Sequence, residues 1–514
     1  RLHARLAARP RGWRRQLRRR LAVTVTGAAL LLAMAGMGAE FAARAETDNV
    51  ITVVNGEVAL AKNGKCSLIE AINNANDTVD GIANKPGNDD CAAGNPNGAD
   101  VIQLPVGGAF SVNKSVDYYY GYTALPIITS QITVEGSGST ITRTGKKDMR
   151  FFTAVSDTYD AGAADLTLND LTLTNGKNDY YSGGAIYTYR ATLTINNCTI
   201  TGNESGANGG GIFAGYTDVT ITESTISGNK SYGGGGVYAG YGSVTIIDST
   251  LSGNEAPDSA GGGAYLNTAE VHISNVIVDN NKALSGSGVL INYSDVTIAD
   301  SVISNNKGDG GAYSSGGGIY LSDTTGTLNR LSITGNEAPR GGAVFATGGS
   351  VAIKSSTLSG NKATTGGGLY TLNGAAVSVV NSTLSGNQAT EAGGGLSNKG
   401  TMTLVNATVS GNTAVAGGGA QAAGGALTLQ RALVAGNTAP TGREVNLAAG
   451  TVAANSHNLF GFGGNAGLAG FAAGATDVVP GVAPAAVLGP LADNTGQTLT
   501  HALPAGSPAI DKGP

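Results

Sequence analysis

At 514 residues the chain is long enough for one large elongated domain or several compact ones. Its 81 glycines, about twice the usual share, follow no Gly-x-y period, which excludes a collagen-like rod. The net charge of −5 conceals a split: residues 1–45 hold ten Arg and one Glu, leaving −14 on the remainder, and an acidic remainder excludes nucleic acid and anionic membrane as electrostatic partners.

Residues 1–45 read as a secretory signal peptide. An Arg-rich stretch to Arg20 precedes an apolar run, Leu21 to Ala39, and Ala43-Arg44-Ala45 supplies a small-x-small cleavage site. The run is about long enough to span a bilayer, but its Thr and Gly content and the cleavage site favour a cleaved signal over an anchor. The expected location is therefore secreted, or at a bacterial cell surface or outer membrane, with a mature chain that does not span the membrane. The lone Trp13 leaves with the signal, so tyrosine becomes the aromatic resource of the mature chain.

Residues 46–160 read as an N-terminal cap and first coils. In CSLIEAINNAN, Cys66 to Asn76, Ser67-x-x-Glu70 forms a capping box at a helix start, and Leu68, Ile69 and Ile72 share one face. A short amphipathic helix laid across the first coil is expected, with Glu70 capping rather than catalysing. In an oxidising compartment Cys66 and Cys91 are candidates to pair. Cys198 falls in the repeats and suits a small buried site; the three spacings make no zinc motif. Cys66-Ser67-Leu68 and Glu70-Ala71-Ile72, with Ile69 in place of Arg, resemble the CSLREA domain of bacterial surface and secreted β-helix proteins. The continuation from Gly87 to Pro105 is similar to the same family pattern.

Residues 161–440 repeat. Asn closes each unit, at Asn203, Asn229, Asn254, Asn281, Asn306, Asn336, Asn361, Asn387, Asn412 and Asn437, nine intervals with a mean of 26 residues. Such periods signal a solenoid or propeller. Short alternating runs (VTIT, VTII, VAIK, MTLV) indicate strands with one buried face. Three strands fit 26 residues, whereas a four-strand propeller blade does not. The fold class expected is all-β: a right-handed parallel β-helix with coils about 4.8 Å apart. Gly triplets such as Gly209-Gly210-Gly211 and Gly366-Gly367-Gly368 suit tight corners with positive φ, and the Gly-Asn ending suits a left-handed turn that Asn tolerates. Stacked Asn side chains form an amide ladder, a structural rather than ligand-binding column.

A second column is aromatic: Tyr187, Phe213, Tyr238, Tyr265, Tyr320, Phe345 and Tyr370. Strand alternation places it opposite an aliphatic core set, as an external stripe that either contacts sugars or a partner or, preferably, stacks on itself. Gly183-Gly184-Ala185-Ile186, Gly341-Gly342-Ala343-Val344 and endings such as Ile226-Ser227-Gly228-Asn229 resemble the repeats of polymorphic outer membrane proteins, over roughly residues 180–440. That resemblance implies surface display and adhesion.

Residues 441–514 read as final coils and a distinct end. Asn458 to Gly463 and then LGPLADNTGQTLTHALPAGSPAIDKGP, from Leu488, look like the choice-of-anchor Q domain, with Thr495 where Gly is usual. His501 and Asp511 suit turn or capping roles there.

A reaction is not legible. Glycoside hydrolysis needs two carboxylates across a cleft, about 5–5.5 or 6.5–9.5 Å apart. Asp295, Asp300 and Asp323 are the candidates on neighbouring units, and solvated acids on an outer face are the plainer reading. His272, His457 and His501 are far apart in sequence. No catalytic residue, cofactor or metal is assigned. The favoured function is a non-enzymatic, adhesin-like surface scaffold facing polysaccharide, matrix or another cell. The alternatives are a polysaccharide lyase or glycoside hydrolase on the same fold, and a structural unit of a surface layer.

Overall fold

A computed structural model describes residues 49–76, 90–95, 98–156, 164–268, 270–311, 314–454 and 456–510. The signal-like segment and Asp511 lie outside them. Among the described residues no helix is long and apolar enough to cross a membrane.

The chain is a right-handed parallel β-helix. Each coil contributes three short strands, such as Ile212–Gly215, Asp218–Thr222 and Thr225–Ser227, which define a first, second and third face. Each strand pairs in parallel with its counterpart one coil on: Ile212 opposes Val237, Val219 opposes Val244, and Ile226 opposes Leu251. Thirty-eight strands join in one continuous wrapped sheet. Period-two alternation sends Ile212, Ala214, Val219, Ile221 and Ile226 inward, none more than 1% exposed. No coil buries these residues alone; they pack onto the matching residues of the coils on either side.

The corners explain the glycines and asparagines. Between the second and third faces a single residue turns the chain with positive φ, as at Asn197, Asp248, Asn275, Asp300 and Asn406, all between 50° and 55°. Asn and Asp tolerate this left-handed conformation best among residues with a Cβ. In the triplet at Gly209, only the first glycine has positive φ, at 71°. The other two are small for a different reason: a Cβ on Gly210 would stand 2.4 Å from the Gly235 carbonyl oxygen, and one on Gly211 2.7 Å from that of Gly236. At the Gly-Asn ending it is Gly228, φ 62°, that takes the left-handed turn, and the Asn after it does not. This corrects the expectation that Asn supplies the turn.

The asparagines turn inward instead. Asn306 is fully buried. Its backbone N–H and Nδ2 both donate to Asn336 Oδ1, at 3.0 and 2.9 Å, and Nδ2 also donates to the Val278 carbonyl at 3.0 Å. Its own Oδ1 accepts both donors of Asn281 at 3.0 Å. The same bonds recur from Asn203 to Asn437. At the last rung Glu444 takes the place of an Asn. Its Oε2 accepts Asn437 Nδ2 at 2.6 Å, its Oε1 accepts the Gly436 N–H at 3.2 Å, and Arg443 Nε lies 3.2 Å from Oε1.

The N-terminal end is covered. The helix Leu68–Ala75 packs on the strands Asn49–Thr52 and Asp100–Gln103. Its capping box is complete: Glu70 N–H donates to Ser67 Oγ, and Ser67 N–H donates to Glu70 Oε2. Glu70 Oε1 also accepts the Ala61 N–H at 2.9 Å, so the buried carboxylate closes the cap. Cys66 and Cys91 are disulfide-bonded. At the other end the strand Leu491–Ala492 pairs antiparallel with Thr500–His501. That hairpin lies back along the third face, where Thr357 Oγ1 donates to the Leu499 carbonyl and His501 Nε2 meets Ser385 Oγ at 2.9 Å. His501 Nδ1 faces the Gly489 carbonyl at 2.7 Å; a carbonyl only accepts, so Nδ1 carries the proton and a neutral ring accepts from Ser385.

Candidate functional site

The aromatic column lies on the outer side of the first face, and its rings stack along the helix axis. Tyr187 and Phe213 are 5.0 Å apart at 10°, Phe213 and Tyr238 5.3 Å at 8°, Tyr238 and Tyr265 5.0 Å at 21°. In-register strands set this spacing, since neighbouring backbones are about 4.8 Å apart. Leu290 interrupts the stack. It resumes with Tyr320, Phe345 and Tyr370 at 4.8 and 5.5 Å. Stacked rings spend their faces on each other, so the column offers edges and hydroxyls outward. Phe345 and Tyr370 are only 3% exposed, which removes them from any surface stripe. Burial pushes the phenols of Tyr187, Tyr238, Tyr265 and Tyr320 up.

The exposed aromatic surface is elsewhere. Among the described residues nine tyrosines are exposed, and all lie between Tyr118 and Tyr293. Tyr118, Tyr119 and Tyr122 stand on the loop before the bridge residue Thr123, and Tyr180 and Tyr181 on the loop before the Gly183 corner. Tyr232 occupies the same corner further along, its N–H bonded to the Ala207 carbonyl. Tyr216, Tyr241 and Tyr293 sit on the opposite corner, between the first and second faces, at φ 51°, 66° and 51°. Tyr216 and Tyr241 stack at 4.6 Å and 13°, and Tyr189 meets Tyr216 edge-on. The first face of these coils is thus a stacked aromatic ladder bordered by exposed tyrosines on both corners.

One buried cation organises the N-terminal border. Arg150 is fully buried. It donates to the carbonyls of Tyr120 (2.9 Å), Ser182 (2.8 Å) and Gly183 (3.1 Å), and its guanidinium carbon lies 4.8 Å from the centre of the Tyr187 ring. Burial lowers its pKa to about 10, which still leaves it charged at neutral pH. Arg150 therefore ties both tyrosine loops to the ladder.

The candidate acids do not gather as a set of three: Asp323, two residues before the Thr325 that pairs with Asp295, is a diagonal neighbour of Asp295 on the next coil, whereas Asp300 stands apart. Asp295 opens the second-face strand Asp295–Ala299 and Asp300 follows its end, so the two are roughly 16 Å apart along the strand. Asp300 is held in a two-pronged ion pair by Arg330, at 2.7 and 2.5 Å. Asp323 lies at the first-to-second corner one coil on, where Ser322 Oγ donates to it. His272 is on a second-face strand, and His457 is a left-handed corner residue. Among the described residues no group of three or more His, Cys, Asp or Glu gathers to hold a metal.

A family model for the right-handed beta helix region matches residues 159–325. The matched stretch coincides with most of the tyrosine-bearing coils. No curated protein is similar to the chain.

Sequence reading found the ladder but not the exposed tyrosines around it. The signal was present in DYYYGY and DYYSGG, Asp117 to Tyr122 and Asp179 to Gly184. The first loop precedes the repeat and the second stands at its start, and only the coil register brings them to one face.

Proposed function

We propose that this protein is an exported, adhesin-like recognition scaffold whose tyrosine-rich first face binds polysaccharide or matrix without cleaving it. The observation that carries the reading is the confinement of nine exposed tyrosines to one half of a uniform scaffold, around one ladder. Tyrosine offers a large, rigid, amphipathic contact at low entropic cost, and recognition surfaces are enriched in it. The fold alone accommodates lyases and hydrolases as readily as adhesins. The separation of Asp295 from Asp300 and the engagement of Asp300 by Arg330 argue against hydrolysis by that pair, which leaves Asp295 with Asp323 as the pair that cleavage would implicate. The signal-like residues 1–45 and the resemblances to the CSLREA and choice-of-anchor Q domains support export and surface placement.

The test passes the protein over immobilised neutral and acidic polysaccharides and analyses retained material and eluate by mass spectrometry. Retention without new products, reduced by Tyr216→Asn with Tyr241→Asn, is the expected result. Reproducible cleavage would overturn the non-enzymatic reading, and retention insensitive to both substitutions would remove the face from it.

A further inference from the structure

A cavity of about 490 Å³ opens where the aromatic ladder meets the capping helix. Its size falls among small-molecule sites, which run about 300–1,000 Å³. Leu60, Ile69 and Pro126 give it apolar surface, Tyr119 and Tyr120 aromatic surface, and Asn73 and Asp117 hydrogen-bonding groups. Tyr119 and Tyr120 meet edge to face at 4.8 Å. Tyr120 also stacks on Tyr187 at 6.1 Å, so it is both cavity wall and the first ring of the ladder. Asp117 Oδ1 accepts the Tyr119 N–H at 2.9 Å, which orients the loop carrying both rings.

We propose that this cavity binds the terminal residue of a neutral glycan whose following residues run along the first face. The inference rests on the recognition reading for its choice of ligand class. A sugar ring presents C–H faces to tyrosine and hydroxyls to amide and carboxylate groups, the mixture that lines this cavity. Ile69, Asn73 and Asn76 of the capping segment wall one side, which suits a chain end rather than a passing chain. Among the described residues the lining holds the Asp117 carboxylate and no Lys, Arg or His, so a uronic acid would bring like charge to Asp117.

Saturation-transfer NMR on the full chain, with titration, uses four probes: the methyl glycosides of glucose, galactose, N-acetylglucosamine and glucuronic acid. At least one neutral glycoside is expected to bind in the millimolar range, with the glucuronide at least tenfold weaker. Tyr119→Ala, at a residue 79% exposed and hence not needed for folding, is expected to weaken the neutral glycoside at least tenfold. Asp117→Asn is expected to narrow the gap between neutral and acidic probes. Binding by none of the probes, binding indifferent to Tyr119→Ala, or a glucuronide bound as well as the neutral sugars would each overturn the proposal, even where whole polysaccharide is still retained. Tyr119-dependent binding of a neutral glycoside without polysaccharide retention would uphold the cavity and sink the first-face reading instead.

Discussion

The corner between the first and second faces has two characters along one scaffold. In the first half it carries Arg190, Tyr216, Tyr241 and Tyr293. In the second half it carries Asn373-Gly374, Lys399-Gly400, Gly424-Gly425 and Gly450, which line a shallow groove of mostly backbone. The strands beneath remain parallel in both halves, and their register shifts late, at the Gly424-Gly425 corner where Ala420–Gln430 pairs with Val445–Ala453. The Asn ladder runs under both halves without a break. Folding and surface character are thus carried by separate columns: inward asparagines and aliphatics hold the coil, and corner residues vary freely above them.

That separation makes its strongest prediction about the ladder. Asn306→Ala and Asn412→Ala lie in different halves and each removes a buried side chain that accepts two donors. Each leaves the preceding Asn with an unsatisfied buried N–H. The expected loss of stability is of order 3–5 kcal/mol in either half, measured by denaturant unfolding. A large cost at one site and a small one at the other would break the idea of a uniform scaffold. Glu444 tests the ladder's end. Burial pushes its carboxyl up to about 7 from an ordinary 4.5, against the donors from Asn437 and Arg443. A raised folded-state pKa means that folding favours the protonated acid. The contribution is full below about 4.5 and is lost as pH rises through about 7, at most about 3 kcal/mol. Glu444→Gln should flatten stability across that window; an unchanged profile would show that Glu444 does not sense pH there.

Legibility followed the same division. The columns that hold the fold repeat every coil, so Asn203 to Asn437 and the alternating Ile, Val and Leu could be read directly. The Ser67-x-x-Glu70 box was readable because its chemistry is local. Tyr216, Tyr241 and Tyr293 were harder: each is a single corner residue outside the strand alternation, with no periodic signal of its own. Glu444 was not legible, because it reaches the ladder from the following corner, seven residues after Asn437, where the repeat spacing offers no Asn. Charge alternates just after the ladder, at Glu204, Lys230, Glu255 and Lys282. The structural counterparts of this alternation are exposed pairs such as Lys307 with Glu337 at 3.4 Å, which contribute little.

The corner tyrosines sharpen the comparison at smaller energies. Asn tolerates the positive φ of positions 216 and 241, so Tyr216→Asn and Tyr241→Asn should each change stability by less than about 1 kcal/mol. Together they are expected to weaken polysaccharide retention at least fivefold, while Lys399→Ala on the glycine-rich corner leaves it unaltered. Equal losses from both corners would mean that the two halves act as one surface.

Cys198 carries the smallest effect and a sharp readout. It occupies the corner position that Ser224 and Ser249 hold on the next coils, with its N–H donating to Ser224 Oγ at 3.0 Å. Burial pushes its thiol up to about 12, so at pH 8 almost none is thiolate. Native protein should resist maleimide over hours and label stoichiometrically once unfolded. Cys198→Ser should be tolerated at a cost near 1 kcal/mol, because a serine hydroxyl at this corner donates to the carbonyl two residues earlier, as Ser224 does to Thr222 at 2.7 Å. Rapid labelling of the native chain would mean that the tyrosine-bearing half opens locally, and that the two halves differ in their cores as well as at their corners.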